Sequence, residues 1–194
     1  LSKGGGYIAG DNCLIKKTST KLYAALSDGM GSGLKAYEAS KALLKRLEGL
    51  INLPYDDEKI IRLLTELSHI SLFTSSYATL DFFSANLATK KGKLFKIASS
   101  TSLLIRNNQI KEFNTKTLPI DFDGILDLYE IDLEKNDIIL LMSDGVFDFS
   151  NIKALYSYIL SISYLEPDKL VYNIAKYIFN ESNKKLHDDI SILA

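Results

Sequence analysis

The order in which two periodicities follow one another along the chain limits its fold more than any single residue does. β-favourable residues run over 7–18 and 22–26, and Lys16, Lys17 and the Ser/Thr cluster at 18–20 lie at their junction, which predicts a hairpin. After Gly33 the period becomes helical. Leu43, Leu44, Leu47, Leu50 and Ile51 share one face, with Lys41, Lys45 and Glu48 opposite and Arg46 on the flank. Pro54 interrupts this pattern. A second helix is predicted from near Asp56 or Asp57, where acids suit the N-terminal dipole, through Ile60, Ile61, Leu63, Leu64 and Leu67. From Tyr77 to about Phe113 the character is β, in segments near 77–87, 93–98 and 103–106, and Asn107-Asn108 offers a further turn. Residues 138–142 read as a strand buried on both faces. Helices are then expected over about 151–162 and 167–179, with Pro167 in the first turn of the second, and a short apolar strand over 190–193. Strands, two helices, many strands, two helices and a strand lack the strand–helix alternation of a parallel sheet. The order predicts an α+β fold of antiparallel sheets with helices packed outside.

The 194 residues are about 1.3 times a usual domain of roughly 150, so a single domain over 1–194 is expected. A hydrophobic fraction of 46% supplies a sizeable core and excludes disorder. Lys plus Arg total 23 against 24 Asp plus Glu, which disfavours a global electrostatic grip on nucleic acid. The most apolar run, 138–142, is far shorter than the roughly 20 residues that span a bilayer. No signal-peptide pattern opens the chain, and one cysteine, Cys13, excludes an internal disulfide framework, so a reducing, cytoplasmic setting is expected. Because residue 1 is Leu, the chain reads as a domain excised from a longer protein, whose missing parts include room for a membrane anchor with this domain on the cytoplasmic side.

Acidic residues stand where strands end. Asp11 follows Gly10, Asp28 follows the strand at 22–26 and precedes Gly29, Asp144 follows 138–142 and precedes Gly145, and Asp188 and Asp189 precede the last strand. An Asp-Gly pair alone is an ordinary turn. Ser-Asp-Gly repeated after two apolar strands, with acids near both chain ends, points to carboxylates that the fold brings together. Left alone they would repel one another and take up protons. A hard divalent cation resolves that conflict, since Mg²⁺ and Mn²⁺ prefer oxygen ligands. Two such ions supply phosphoester hydrolysis by neutralising phosphate charge and activating a water.

Gly4-Gly5-Gly6 with Gly10-Asp11-Asn12, then Ser27-Asp28-Gly29-Met30-Gly31-Ser32-Gly33, Thr79-Leu80-Asp81, Ser143-Asp144-Gly145 and Asp188-Asp189-Ile190-Ser191, occur in an order that resembles the stage II sporulation protein E phosphatase domain. That family is a bacterial branch of the protein phosphatase 2C-like, metal-dependent (PPM) serine/threonine phosphatases. The resemblance runs from about Gly4 to Ala194 and implies an αββα sandwich of two antiparallel β-sheets flanked by helices. It implies that Asp28 bridges two Mn²⁺ or Mg²⁺ ions, that Asp11 and the Gly29 carbonyl complete the ligands of one, and that Asp144 and Asp188 hold the other. Asp189 is the fallback for Asp188. It further implies attack of metal-activated water on phosphoserine of a regulatory protein, in this branch a phosphorylated anti-anti-sigma factor whose dephosphorylation frees a sigma factor. The helices between about Leu34 and Phe73 are expected, on the same resemblance, to couple partner or homodimer contacts to metal occupancy.

Two positions depart from the family. Met30 stands where eukaryotic members carry a His, so that position supplies no general acid. Ala98, in Ala98-Ser99-Ser100-Thr101-Ser102, stands where the family usually has Gly. Simpler readings cover the rest: His187 as a solvent-facing turn residue, His69 as structural, Cys13 as a small half-buried residue, Thr79 and Asp81 as outward residues of an alternating strand, and Tyr77, Phe82 and Phe83 as core and sheet faces. Gly31-Ser32-Gly33-Leu34-Lys35-Ala36 matches a dinucleotide-binding turn, but the second strand it requires should fall near 52–57, which is poor strand material. A noncatalytic partner-binding domain of the same fold is the remaining alternative, although every proposed acid is present.

Overall fold

The computed structural model describes residues 1–3, 8–70, 77–115, 126–148, 151–183 and 185–194. Strands β1 (Asp11–Lys17), β2 (Lys21–Asp28), β3 (Leu80–Asn86), β4 (Lys91–Ile97) and β7 (Asp127–Asp132) form one sheet in that spatial order. The other sheet has the order β6-β5-β8-β9, from β5 (Ser102–Arg106), β6 (Gln109–Phe113), β8 (Ile138–Met142) and β9 (Ile192–Leu193). Every pairing among these strands is antiparallel. Helices α1 (Leu34–Ile51) and α2 (Asp57–Ile70) cover the first sheet, and α3 (Ile152–Ile162) and α4 (Pro167–Glu181) cover the second. This is the expected α+β sandwich.

Strand alternation sorts the apolar side chains into three layers. Tyr23, Ala25, Leu80, Phe82 and Phe95 face α1 and α2, where Leu44, Leu47, Ile60, Ile61 and Leu64 meet them. Their strand neighbours Leu26, Phe83, Ala85 and Leu94 face the other sheet and meet Leu104, Leu141 and Leu193. Leu103, Ile105, Leu140 and Met142 point the opposite way, onto Leu155, Ile159, Leu170 and Ile174 of α3 and α4. Strand β8 therefore has a core on each face, as its unbroken apolar run requires.

Local chemistry sets the boundaries. Asn107 and Asn108 both sit at positive φ, 49° and 59°, so β5 and β6 are joined by a two-residue turn that favours left-handed residues. The Asn151 side chain accepts from the Ala154 N–H at 3.0 Å and caps α3. Asp57, buried in the first turn of α2, accepts from Lys21 Nζ at 2.7 Å and from Ser84 Oγ at 2.8 Å, which ties the helix to β2 and β3.

Several expectations shift. Strand β1 begins at Asp11, and β9 is two residues long because Ile190 and Ser191 hydrogen-bond instead with Leu1 and Ser143. Strand β7 was not anticipated. Cys13 is exposed, not half-buried: β1 is an edge strand, and no β1 residue joins the layer between the sheets. Tyr77 and Leu67 are largely exposed, whereas Phe82 and Phe83 are core. The Gly4-Gly5-Gly6 motif, Tyr7, the end of the second predicted helix at 71–73 and the His69 side chain lie outside the described residues. Among the described residues no helix is long and apolar enough to cross a membrane.

Candidate metal centre

The predicted acids lie at the ends of strands from both sheets. Asp11 opens β1 and Asp28 closes β2, and the hairpin register sets them directly opposite one another. Such a pair of like charges on adjacent strands is unfavourable without a cation or a shared proton. Beyond Asp28 the chain is held by β3 on one side, where Thr79 N–H donates to the Asp28 carbonyl at 2.8 Å and Thr79 Oγ1 accepts from Asp28 N–H at 3.1 Å. On the other side Gly29 lies against α1. A Cβ there would stand 1.9 Å from the Ala36 carbonyl oxygen, so only glycine lets the backbones cross.

The second half comes from the other sheet. Strand β8 runs into a 3-10 turn that starts at Asp144, and the segment at 188–191 is laced to it. Ser143 N–H donates to the Ser191 carbonyl at 3.0 Å, Ser191 N–H donates to Ser143 Oγ at 2.9 Å, and Ser143 Oγ donates to the Asp189 carbonyl at 3.2 Å. A Cβ on Gly145 would come within 2.2 Å of that same Asp189 oxygen. These contacts fix Asp144 and Asp188 beside one another although 44 positions separate them in the chain.

Electrostatics shows that the halves meet. Burial first, then the charge of Asp11 and a hydrogen bond to it, then Asp144 and Asp188, push the Asp28 carboxyl up to about 8. Burial also holds Asp11 above the ordinary carboxylate range, against the pull of Ser191, Ser143 and Asp28. Asp144 is raised by burial and then by Asp188. The buried Oδ2 of Asp11 has no hydrogen-bond partner. Asp189 is engaged differently: its Oδ1 accepts from Lys3 N–H at 2.6 Å and its Oδ2 from Gly10 N–H at 2.5 Å. It fastens the N-terminal segment to the loop before β9.

Among the described residues, no three His, Cys, Asp or Glu side chains form a ready-made metal-binding group. The carboxylates converge without closing a ligand shell. An oxygen-only set with an orphaned carboxylate oxygen and a carboxyl pushed up by its acidic neighbours fits a hard divalent cation, above all one that keeps several of its waters.

A cleft of about 190 Å³ opens at this point, lined by Asp28, Thr79, Asp81, Ser99, Ser100 and Asp144 among others. One of these residues departs from its expected place. Asp81 does not face outward: it is buried and pairs with Lys96, which is fully buried as well. The signal for this pair was legible, since Lys96 stands alone between Phe95 and Ile97, and Asp81 alone between Leu80 and Phe82. Such charges inside apolar strands need a partner. His187 is exposed.

The stage II sporulation protein E family model matches residues 18–194. The chain belongs to the stage II sporulation protein E family. Asp28, Gly29, Asp144, Asp188 and Asp189 fall within the matched residues, and Asp11 lies before them. Stage II sporulation protein E of Bacillus subtilis (strain 168) is 29% identical over 153 residues, which cover 76% of this chain and 18% of that protein. The chain thus spans under a fifth of that relative. The solved PP2C phosphatase domain of Bacillus subtilis SpoIIE, with a fragment of its regulatory domain, is 25% identical with a TM-score of 0.85, covering 98% of this chain and 58% of that one. RsbX in complex with magnesium shares the fold at 19% identity and a TM-score of 0.72, covering 99% of this chain and 89% of that one. By family and fold this is a stage II sporulation protein E-type domain with the PP2C phosphatase fold. The dinucleotide-binding reading fails: α1 leads into α2, and no parallel strand follows Gly31 and Gly33 among the described residues.

Proposed function

We propose that the chain hydrolyses phosphoserine on a regulatory protein, an anti-anti-sigma factor, with two Mn²⁺ or Mg²⁺ ions at the carboxylate cluster. The observation that carries this reading is the crowding of Asp28 by Asp11, Asp144 and Asp188, acids from both sheets, beside an open cleft that Asp28 and Asp144 line. Asp28 would bridge the ions, Asp11 and the Gly29 carbonyl would serve one, and Asp144 and Asp188 the other. Asp189 is the weaker choice, because both its oxygens already accept backbone N–H groups. When bound, such ions neutralise phosphate charge and lower the pKa of a coordinated water. The protein's own part is to hold four carboxylates against mutual repulsion at the ends of β1, β2 and β8 and in the segment before β9, and to keep the cleft wide enough for a phosphoryl group.

A cytoplasmic setting and a domain spanning 1–194 complete the reading. Helix α1 is also suited to couple partner or homodimer contacts to the cluster. Ser40 Oγ on this helix donates to the Gly10 carbonyl at 2.5 Å and accepts from Asn12 Nδ2 at 2.8 Å, on either side of Asp11.

The test is Mn²⁺-dependent release of phosphate from a phosphoserine protein, with a chelator control. Turnover that requires the metal supports the reading. Partner binding without turnover of either a phosphoprotein or p-nitrophenyl phosphate would identify a noncatalytic domain instead.

A further inference from the structure

Behind the cleft, Lys96 in β4 is paired in register with Asp81 in β3, and both side chains are almost wholly removed from water. A buried ion pair is weak evidence for stability, since well-packed apolar residues commonly do as well. What this one does is geometric. The ammonium has three donors and uses them all, on the Asp81 carboxylate, on the Ser100 carbonyl at 2.6 Å and on Ser102 Oγ at 2.8 Å. Asp81 Oδ1 also accepts from Ser99 Oγ at 2.9 Å. The pair therefore grips the segment between β4 and β5 at Ser99 and Ser100, and the start of β5 at Ser102.

That segment needs gripping. Ala98 sits at φ 49°, a left-handed conformation that a residue with a Cβ adopts at a cost and keeps only when its surroundings enforce it. Ala98, Ser99 and Ser100 line the same cleft as Asp28 and Asp144. At about 190 Å³ the cleft is small, so a displacement of this wall changes what fits.

We propose that Lys96 is a positioning residue which, through Asp81, Ser100 and Ser102, fixes residues 98–102 as the substrate-facing wall of the cleft. The inference rests on the reading of the cleft as a phosphatase site. It assigns the buried ion pair to substrate binding, not to holding the metal.

The double variant Lys96→Met/Asp81→Asn removes both charges together, so neither is left unpaired, and its thermal midpoint is expected within about 4 °C of the parent. Hydrogen exchange in the full chain should quicken at 99–102 while Mn²⁺ affinity stays the same. With a synthetic phosphoserine peptide, KM should rise about tenfold and kcat should stay within about threefold. Unchanged exchange and KM in the folded variant overturn the proposal. So does a joint loss of kcat and Mn²⁺ affinity, because the pair would then be supporting the metal ligands. If the double variant does not fold, Ser102→Ala deletes one acceptor and should shift KM and exchange in the same direction by about threefold, and no shift overturns the proposal. Should the parent itself fail to release phosphate with Mn²⁺, the phosphatase reading falls, and the exchange result at constant Mn²⁺ affinity alone decides whether Lys96 holds this wall.

Discussion

Ser-Asp-Gly closes β2 in one sheet and β8 in the other, and the two copies are packed by different means. In both, the glycine is dictated by a crossing carbonyl, from Ala36 at Gly29 and from Asp189 at Gly145. The serines differ. Ser143 Oγ is committed to the Asp189 carbonyl and the Ser191 N–H, whereas the buried Ser27 Oγ has no hydrogen-bond partner. The aspartates differ too. Asp28 faces Asp11 across a hairpin and is pushed up to about 8, while Asp144 is raised by burial and by Asp188, which arrives from the far end of the chain. One corner is made by neighbours in sequence and concentrates charge. The other is made by a long-range lacing and distributes it.

The largest expected effect is on turnover. Asp28→Asn and Asp144→Asn should each cut Mn²⁺-dependent phosphate release by about a thousandfold or more, because a ligand to the activating ion is worth several kcal/mol in the transition state. Asp28→Asn should be the worse of the two if it bridges both ions. Near-normal rates in both variants would refute the ligand assignment.

Next in size are the glycines. Gly29→Ala and Gly145→Ala each force a Cβ onto a backbone oxygen and should cost about 3 kcal/mol in denaturant unfolding. A loss below about 1 kcal/mol at either position would mean that its crossing is looser than described.

The pH dependence separates the corners more finely. Between the ordinary value of 3.8 and about 8, folded Asp28 keeps a proton that the unfolded chain has released. Metal-free stability should therefore fall as pH rises through that window, and Mn²⁺ should restore it most at the upper end. Thermal melts with a chelator and with Mn²⁺ read this directly. Asp28→Asn should flatten the metal-free slope more than Asp144→Asn, and equal slopes would remove the distinction between the corners.

The smallest effects belong to the serines. Ser143→Ala leaves the Ser191 N–H without its acceptor and should cost about 1–2 kcal/mol, whereas Ser27→Ala deletes a hydroxyl with no partner and should change stability by about 0.5 kcal/mol or less. Equal losses in chemical denaturation would contradict the hydrogen bonding assigned to Ser143.

Much of this was legible in the chain. Periodicity located all four helices, with α3 and α4 within two residues of their bounds, since their apolar stripes and their Asn151 and Pro167 starts are local signals. The five acids were picked out by their place at strand ends. Less legible was β7, which alternates exposed and half-buried residues and carries little apolar signal. Strand β9 is shorter than its apolar run predicts, because Ile190 is as apolar as a strand residue yet its N–H donates to the Leu1 carbonyl. The exposure of Cys13 is not legible locally, because on an edge strand it depends on whether the opposite sheet extends over it.

By itself, the sequence determined the element types, the burial of β8 on both faces and the place of the acids at strand ends, because each follows from neighbours a few positions apart. Tertiary structure alone decided that Asp189 is spent on the Lys3 and Gly10 N–H groups, and that Asp81 and Lys96 find their buried partner in one another. Those outcomes depend on which strand lies beside which, and strand pairing is settled by packing across the whole core.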